Sequence, residues 1–327
     1  MNKVLPAISD IEQAAVRIRG QAFVTPLLEN VTLNARVGGR VFIKAECLQR
    51  TGSFKFRGAW NCISKLDAVA NKGGVVAFSS GNHAQGVAAA AQIMGLPALI
   101  VMPEDTPEIK KANTKSYGAE VVTYNRATES REAIANHYVV QRGAVLVPPF
   151  EHFDIIAGQG TCGLEIISEL QSQDIALDHM LVNCSGGGLL AGVALAFAER
   201  SPATRVHSVE PEGFDDYARS LRSGTRETNP TPSGSICDAL LSVQPGEMTF
   251  AMNAARVGEG YTVSDPDVKH AMRFAFETLK LVIEPGGAVG LAALLSGQID
   301  ARRKNIGIIA SGGNVDREQF ARILMEA

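Results

Sequence analysis

Lys55 lies in Thr51-Gly52-Ser53-Phe54-Lys55-Phe56-Arg57-Gly58, a few residues after an apolar run. An amine desolvated by Phe54 and Phe56 and placed near Arg57 loses basicity, and a free amine forms a Schiff base with a carbonyl. On these residues alone, a surface lysine with a buried stem is the plainer account. Ser79-Ser80-Gly81-Asn82-His83 follows the apolar run Val75–Phe78 and precedes a helical pattern. Hydroxyls, an amide and free N–H groups at a helix start can hold a carboxylate. A well-capped turn would explain the same residues, with His83 a structural hydrogen-bonding group.

Ser185-Gly186-Gly187-Gly188-Leu189 stands between the run Met180–Cys184 and a helical segment. Three successive glycines let backbone N–H groups converge on a phosphate. Gly186, Gly188 and Gly192 give G-x-G-x-x-x-G, not the dinucleotide G-x-G-x-x-G. Glu210 nevertheless lies about where a ribose-binding acid would, so a nicotinamide oxidoreductase stays in contention. Ser311-Gly312-Gly313-Asn314 makes a third Ser-Gly turn after a third apolar run. All three loops are expected at one sheet edge, forming a composite site. Glu210 and Asp216 suit either a solvated acidic loop or a magnesium or calcium site that also uses an intervening carbonyl.

These turns need a scaffold, and the rest of the 327 residues provides its outline. Val/Ile-rich runs at Val41–Ile43, Val75–Phe78, Ala98–Met102, Val121–Tyr124, Ala144–Val147, Met180–Cys184, Val206–Val209 and Ile306–Ala310 read as buried strands. Helical patterns alternate with them. Ser9 with Glu12 is expected to form a capping box, Thr106-Pro107 to open a helix closed at Gly118, and Ser264-Asp265-Pro266 to open another. The alternation implies an α/β fold with mainly parallel sheets covered on both faces. The stretch from Ser223 to Ser235 reads as a surface loop.

Composition narrows the function. A net charge of −3, with no long run of either sign, argues against nucleic acid or an anionic membrane as partner. No apolar stretch reaches the roughly 18 residues of a membrane span, and Met1–Asp10 lacks the pattern of a signal peptide. A cytoplasmic protein is expected. Five widely spaced cysteines read as reduced, buried thiols and not as a disulfide or zinc framework. The thirty-two glycines exceed the roughly 23 of average composition.

In order, Ser53–Gly58, Ser79–His83, Ala157–Thr161, Ser185–Leu189, Glu284–Ala288 and Ser311–Asn314 resemble the motifs of fold-type II pyridoxal phosphate enzymes. The threonine/serine dehydratases and serine racemases are the most similar group, from about Thr25 to Asn314. The resemblance implies a fold like that of the tryptophan synthase β subunit, with the cofactor between two parallel-sheet, three-layer domains. Residues 49–148 would form the small domain, and 1–48 plus 149–327 the large one.

It also implies roles. Lys55 would carry pyridoxal 5′-phosphate, Phe54 would lie against its ring, and Ser185, Gly186, Gly187, Gly188 and Leu189 would hold its phosphate. Asn82 would bond the ring 3′-oxygen, Ser311 the pyridine nitrogen, and Glu284 would line the pocket. Ser80, Asn82 and His83 would hold the substrate carboxylate, with Ser80 as acid or base opposite Lys55 in a racemase. Glu210, the Phe214 carbonyl and Asp216 would bind Mg2+ or Ca2+.

The implied activity is dehydration of L-threonine or L-serine to a 2-oxoacid and ammonia, by a homodimer. The same chemistry on 3-hydroxyaspartate or phenylserine, and serine racemisation, are the alternatives. On this reading the glycine excess is backbone brought close to a phosphorylated cofactor. Two segments depart from the dehydratase pattern: Glu151-His152-Phe153-Asp154 replaces Asp-Asp-Pro, and Ile236-Cys237-Asp238-Ala239 replaces Ile-Ala-Asp-Gly. The second puts the β-substituent in question. The short stretch after Asn314 leaves no room for a regulatory domain, so feedback by isoleucine is not expected.

Overall fold

The computed structural model describes residues 4–106, 108–231 and 233–326. Among the described residues, ten strands form two sheets. They are β1 (Leu27–Glu29), β2 (Arg40–Lys44), β3 (Val75–Phe78), β4 (Ala98–Pro103), β5 (Glu120–Tyr124), β6 (Val145–Leu146), β7 (His179–Asn183), β8 (Arg205–Pro211), β9 (Val257–Val263) and β10 (Asn305–Ile309). The larger sheet has the order β1-β2-β10-β7-β8-β9 and the smaller β5-β4-β3-β6. Every pairing is parallel except β1 with β2.

The central strands β2, β3, β4, β7 and β10 are largely apolar because both faces are covered. In the larger sheet Val41, Ile43, Leu181, Ile306 and Ile308 enter one core, whereas Phe42, Met180, Val182 and Ile309 enter the other. In the smaller, Val75, Ala77, Ile100 and Met102 face one way and Val76, Leu99 and Val101 the other. Period-two alternation between two apolar layers is what a three-layer α/β unit requires. None of the described helices is long and apolar enough to cross a membrane.

Two expectations need correction. The three Ser-Gly loops do not share a sheet: Ser79 follows β3 of the smaller one, while Ser185 and Ser311 follow β7 and β10 of the larger. Nor does Ser9 cap the first helix. Ala7 precedes Ile8–Ile18, and its N–H donates to the Asp10 carboxylate at 2.9 Å. The Ser223–Ser235 stretch is irregular and largely exposed, as expected of a surface loop, with Asn229 alone among its described residues buried, against Asp216; Pro232 lies outside the described residues, as does Pro107.

The glycine excess has three causes. A Cβ on Gly158 would lie 2.7 Å from the Arg57 carbonyl, and one on Gly192 would lie 2.4 Å from the Gly160 nitrogen. Such glycines permit close crossing of the helices Lys55–Ile63, Phe153–Gln171 and Gly188–Arg200. Of the others, some end helices in the left-handed conformation, as Gly38, Gly95 and Gly143 do, and some line loops that could meet a ligand.

Candidate active site

Lys55 opens the Lys55–Ile63 helix, directly after a β-bridge between Ser53 and Gly312. The Phe54 N–H donates to the Ser311 carbonyl at 3.1 Å, which seats the lysine against the loop after β10. Its amine donates to the Pro149 carbonyl at 2.9 Å and lies 5.2 Å from the centre of the Phe54 ring. Burial pulls the Lys55 pKa down to about 8, with the Glu284 carboxylate acting in the opposite direction.

Arg57 does not contribute to that shift. It is fully buried on the far side of its helix, bonded to Glu46 at 2.7 Å and Glu165 at 2.6 Å. Phe56 likewise turns into the core, stacked with Trp60.

The loop after β7 forms a bare backbone cradle. A Cβ on Gly186 would lie 2.4 Å from the Phe150 ring, and one on Gly187 would lie 2.5 Å from the Tyr217 hydroxyl. Gly187 also has φ +92°, a conformation costly for any other residue. Gly188 then starts a helix whose first-turn N–H groups lack intrahelical partners, as a bound anion needs. Leu189 is buried there, and the Ser185 hydroxyl donates to that of Ser242 at 2.8 Å. The Gly186 carbonyl accepts from Thr249 Oγ1 at 2.6 Å. Glu151, one of the departures noted above, takes the Met248 N–H at 2.6 Å and so caps the helix that carries Thr249.

Asn183 ends β7 inside an apolar strand, and its role was not read from the sequence. Its Nδ2 lies 2.9 Å from Ser311 Oγ, 3.0 Å from the carbonyls of both Gly286 and Gly287, and 3.2 Å from that of Ile309. Its Oδ1 accepts from the Gly290 N–H at 3.2 Å. One amide thereby joins β7 to the loop after β10 and to the Pro285–Leu295 helix. A polar residue at the end of Met-Leu-Val-Asn was the available signal.

Asn82 links the sheets. Its Nδ2 donates to Glu284 Oε1 at 2.5 Å, and its Oδ1 accepts from Asn314 at 2.8 Å. Burial and Asp238 push the Glu284 pKa up to about 7. With its amide engaged, Asn82 offers a carboxylate its backbone N–H at the start of Asn82–Met94. The His83 ring is held by the Val147 carbonyl at 2.8 Å and kept neutral by burial and by Lys55, so it too can offer only backbone there. Ser80 lies half-buried in the same turn. Ala239 packs near Gly286 at the head of the Pro285–Leu295 helix: a Cβ on Gly286 would lie 3.2 Å from the Ala239 methyl.

Glu210, Phe214 and Asp216 lie apart, behind the cradle. Both Glu210 oxygens accept backbone N–H groups, from Tyr217 at 2.9 Å and Ala218 at 2.7 Å. Asp216 Oδ1 accepts from Asn229 at 2.6 Å, whereas its buried Oδ2 has no hydrogen-bond partner among the described residues. Burial raises the pKa of both acids, that of Asp216 to about 7. A buried carboxylate engaged by helix N–H groups is not placed to bind a ribose.

A buried amine of lowered basicity, a glycine cradle at a helix start and a hydroxyl at a third loop are the parts needed for a phosphorylated carbonyl cofactor. Comparison with known proteins agrees. A family model described as pyridoxal-phosphate dependent enzyme matches residues 18–312. An L-threo-3-hydroxyaspartate ammonia-lyase from Pseudomonas sp is 45% identical, over 98% of this chain and 99% of its own. A serine racemase from Schizosaccharomyces pombe is 40% identical over 99% of each. The crystal structure of a threonine deaminase from T.th. superposes with a TM-score of 0.89 at 42% identity, covering 95% of this chain and 99% of that one. With its three-layer sheets, its half-buried lysine and a family match from residue 18 to residue 312, the chain belongs to the pyridoxal-phosphate-dependent enzymes of fold-type II.

Proposed function

We propose that this protein is an ammonia-lyase that converts a β-hydroxy amino acid to a 2-oxoacid and ammonia, with L-threo-3-hydroxyaspartate the foremost substrate. The Lys55 amine, held by Pro149 and lowered in basicity, carries the reaction class. The hydroxyaspartate relative supports the substrate. L-threonine and L-serine, first in the sequence reading, remain the second choice, supported by the threonine deaminase. The serine racemase supports racemisation as a side activity.

When bound, pyridoxal phosphate supplies the electron sink for an α-carbanion. The Gly186–Leu189 N–H groups would hold its phosphate, Phe54 would flank its ring, Ser311 would meet its ring nitrogen, and Asn82 and Glu284 would line the rest of the site. Ser80 and the backbone of Asn82 and His83 orient the substrate carboxylate. Lys55, with its lowered basicity, would take the α-proton of the substrate. Ser80, on the opposite side, would deliver or remove a proton only in racemisation. We assign residues 49–148 to a small domain, a division supported by the location of β3–β6 within that range.

A panel measuring 2-oxoacid release is expected to rank 3-hydroxyaspartate above threonine and serine in kcat/KM, with chiral analysis of recovered serine reporting racemisation. No release from any of them would remove the lyase assignment, and a higher value for threonine or serine would restore those substrates. The partnerless Asp216 oxygen beside Glu210 supports a Mg2+ or Ca2+ site completed by the Phe214 carbonyl. Running the panel with a chelator and with either ion tests it, since unchanged activity and Tm would exclude that site.

The lowered Lys55 pKa sets a further expectation. Cofactor uptake needs the neutral amine, so its rate in the apoenzyme should rise with pH around a midpoint near 8, not near the ordinary 10.5. Stopped-flow absorbance across pH reads this directly, and a rate still climbing steeply above about pH 9.5 would contradict it.

A further inference from the structure

Outside the lysine cleft, Cys62, His152 and Asp154 bring a thiol, an imidazole and a carboxylate together, with ligand atoms all within 4.8 Å of one another. Among the described residues no other trio of such side chains does so. Cysteine spacing argued against a zinc framework, but here the fold draws ligands from two distant segments. Cys62 is on the Lys55–Ile63 helix, Asp154 lies in the first turn of the Phe153–Gln171 helix, and His152 caps that helix by accepting the Asp154 N–H on Nδ1 at 3.2 Å, a bond that the ion would replace.

We propose that Cys62, His152 and Asp154 form a zinc site, one ion per chain, that clamps the lysine-bearing helix to the start of the Phe153–Gln171 helix. The geometry is near what the ion needs. Cys62 Sγ lies 3.9 Å from His152 Nδ1, and a tetrahedral ion with Zn–S of about 2.3 Å and Zn–N of about 2.0 Å spans about 3.5 Å between them. The helices are already fastened beside the site, because Asn61 Nδ2 donates to the Asp154 carbonyl at 2.7 Å.

A mixed thiol, imidazole and carboxylate set suits zinc and disfavours magnesium or calcium. Half-buried His152 and Asp154 leave a path for the ion and a fourth position for water. Lys65 now pairs with Asp154 at 2.8 Å; its side chain is 44% exposed and can swing into solvent as the dication enters. His152 belongs to the segment that departs from the dehydratase pattern, two residues beyond Phe150, which covers the glycine cradle.

The test uses holoenzyme stripped with a chelator, equilibrated with zinc without amino acid, and passed through gel filtration. Retention of one zinc per chain is expected, with Cys62→Ser and His152→Asn each binding roughly tenfold more weakly or worse at unchanged cofactor absorbance. X-ray absorption of the wild-type complex should show one sulfur at about 2.3 Å, a measurement that decides the matter even if a variant misfolds. No retained zinc, equal retention by both variants, or a coordination shell without sulfur would overturn the assignment.

Discussion

Lys55→Ala is expected to lower kcat on the preferred substrate by about 10⁴-fold while leaving the fold in place. The side chain makes a hydrogen bond to the Pro149 carbonyl, and removing it leaves that carbonyl near a cleft where water can replace the amine. Among the described residues no other neutral amine is in position. Lys44 is fully buried and paired with Glu165 at 2.7 Å, and Lys110 is engaged with Asp238. Borohydride reduction of the wild-type holoenzyme followed by peptide mapping should place the label on Lys55, and the variant should carry none. A variant retaining a tenth of the wild-type rate would show that another group takes the proton.

Gly187→Val should cost the enzyme its cofactor. The residue sits at φ +92° with its would-be Cβ 2.5 Å from the Tyr217 hydroxyl, which Asn253 holds in turn at 2.8 Å. Backbone strain and overpacking together predict a loss of about 2–5 kcal/mol in stability. They also predict a cofactor Kd raised about 100-fold, since the N–H groups can no longer converge. Gly95→Ala is the control. Gly95 has φ +67° but nothing within 4 Å of a Cβ, so it should report strain alone, with cofactor affinity unchanged. Equal cofactor affinity in Gly187→Val and wild type, read by absorbance titration, would remove the cradle from its assigned role.

Much of this was legible in the chain, for physical reasons. Strands such as Val75–Phe78 and Ala98–Pro103 are apolar end to end because helices cover both faces, and the eye finds them without alignment. β9 escaped notice because Gly258 and Gly260 interrupt it, its residues are largely part-exposed, and its pairing with β8 slips in register. β1 is only three residues long and antiparallel. Strand pairing is not written in local periodicity, which is why three similar loops read as one sheet edge when they belong to two. The glycines of the cradle announced themselves, whereas Asn183 did not, because its partners lie more than a hundred positions away. Arg57 illustrates the opposite error: adjacency to Lys55 in sequence suggested electrostatic influence, but its place on the helix turns it into a buried ion cluster with Glu46 and Glu165.

Asn183 also sets the direction of a proton. Three carbonyl oxygens surround its Nδ2 and a backbone N–H faces its Oδ1, so the amide cannot be flipped without placing oxygen against oxygen. Ser311 Oγ, 2.9 Å from that Nδ2, must therefore accept, and the hydroxyl hydrogen is left to point elsewhere. The hydroxyl becomes a polarised donor that favours a neutral, lone-pair-bearing partner over a cationic one. A residue that need not touch any ligand thus sets the protonation state that the pocket will tolerate.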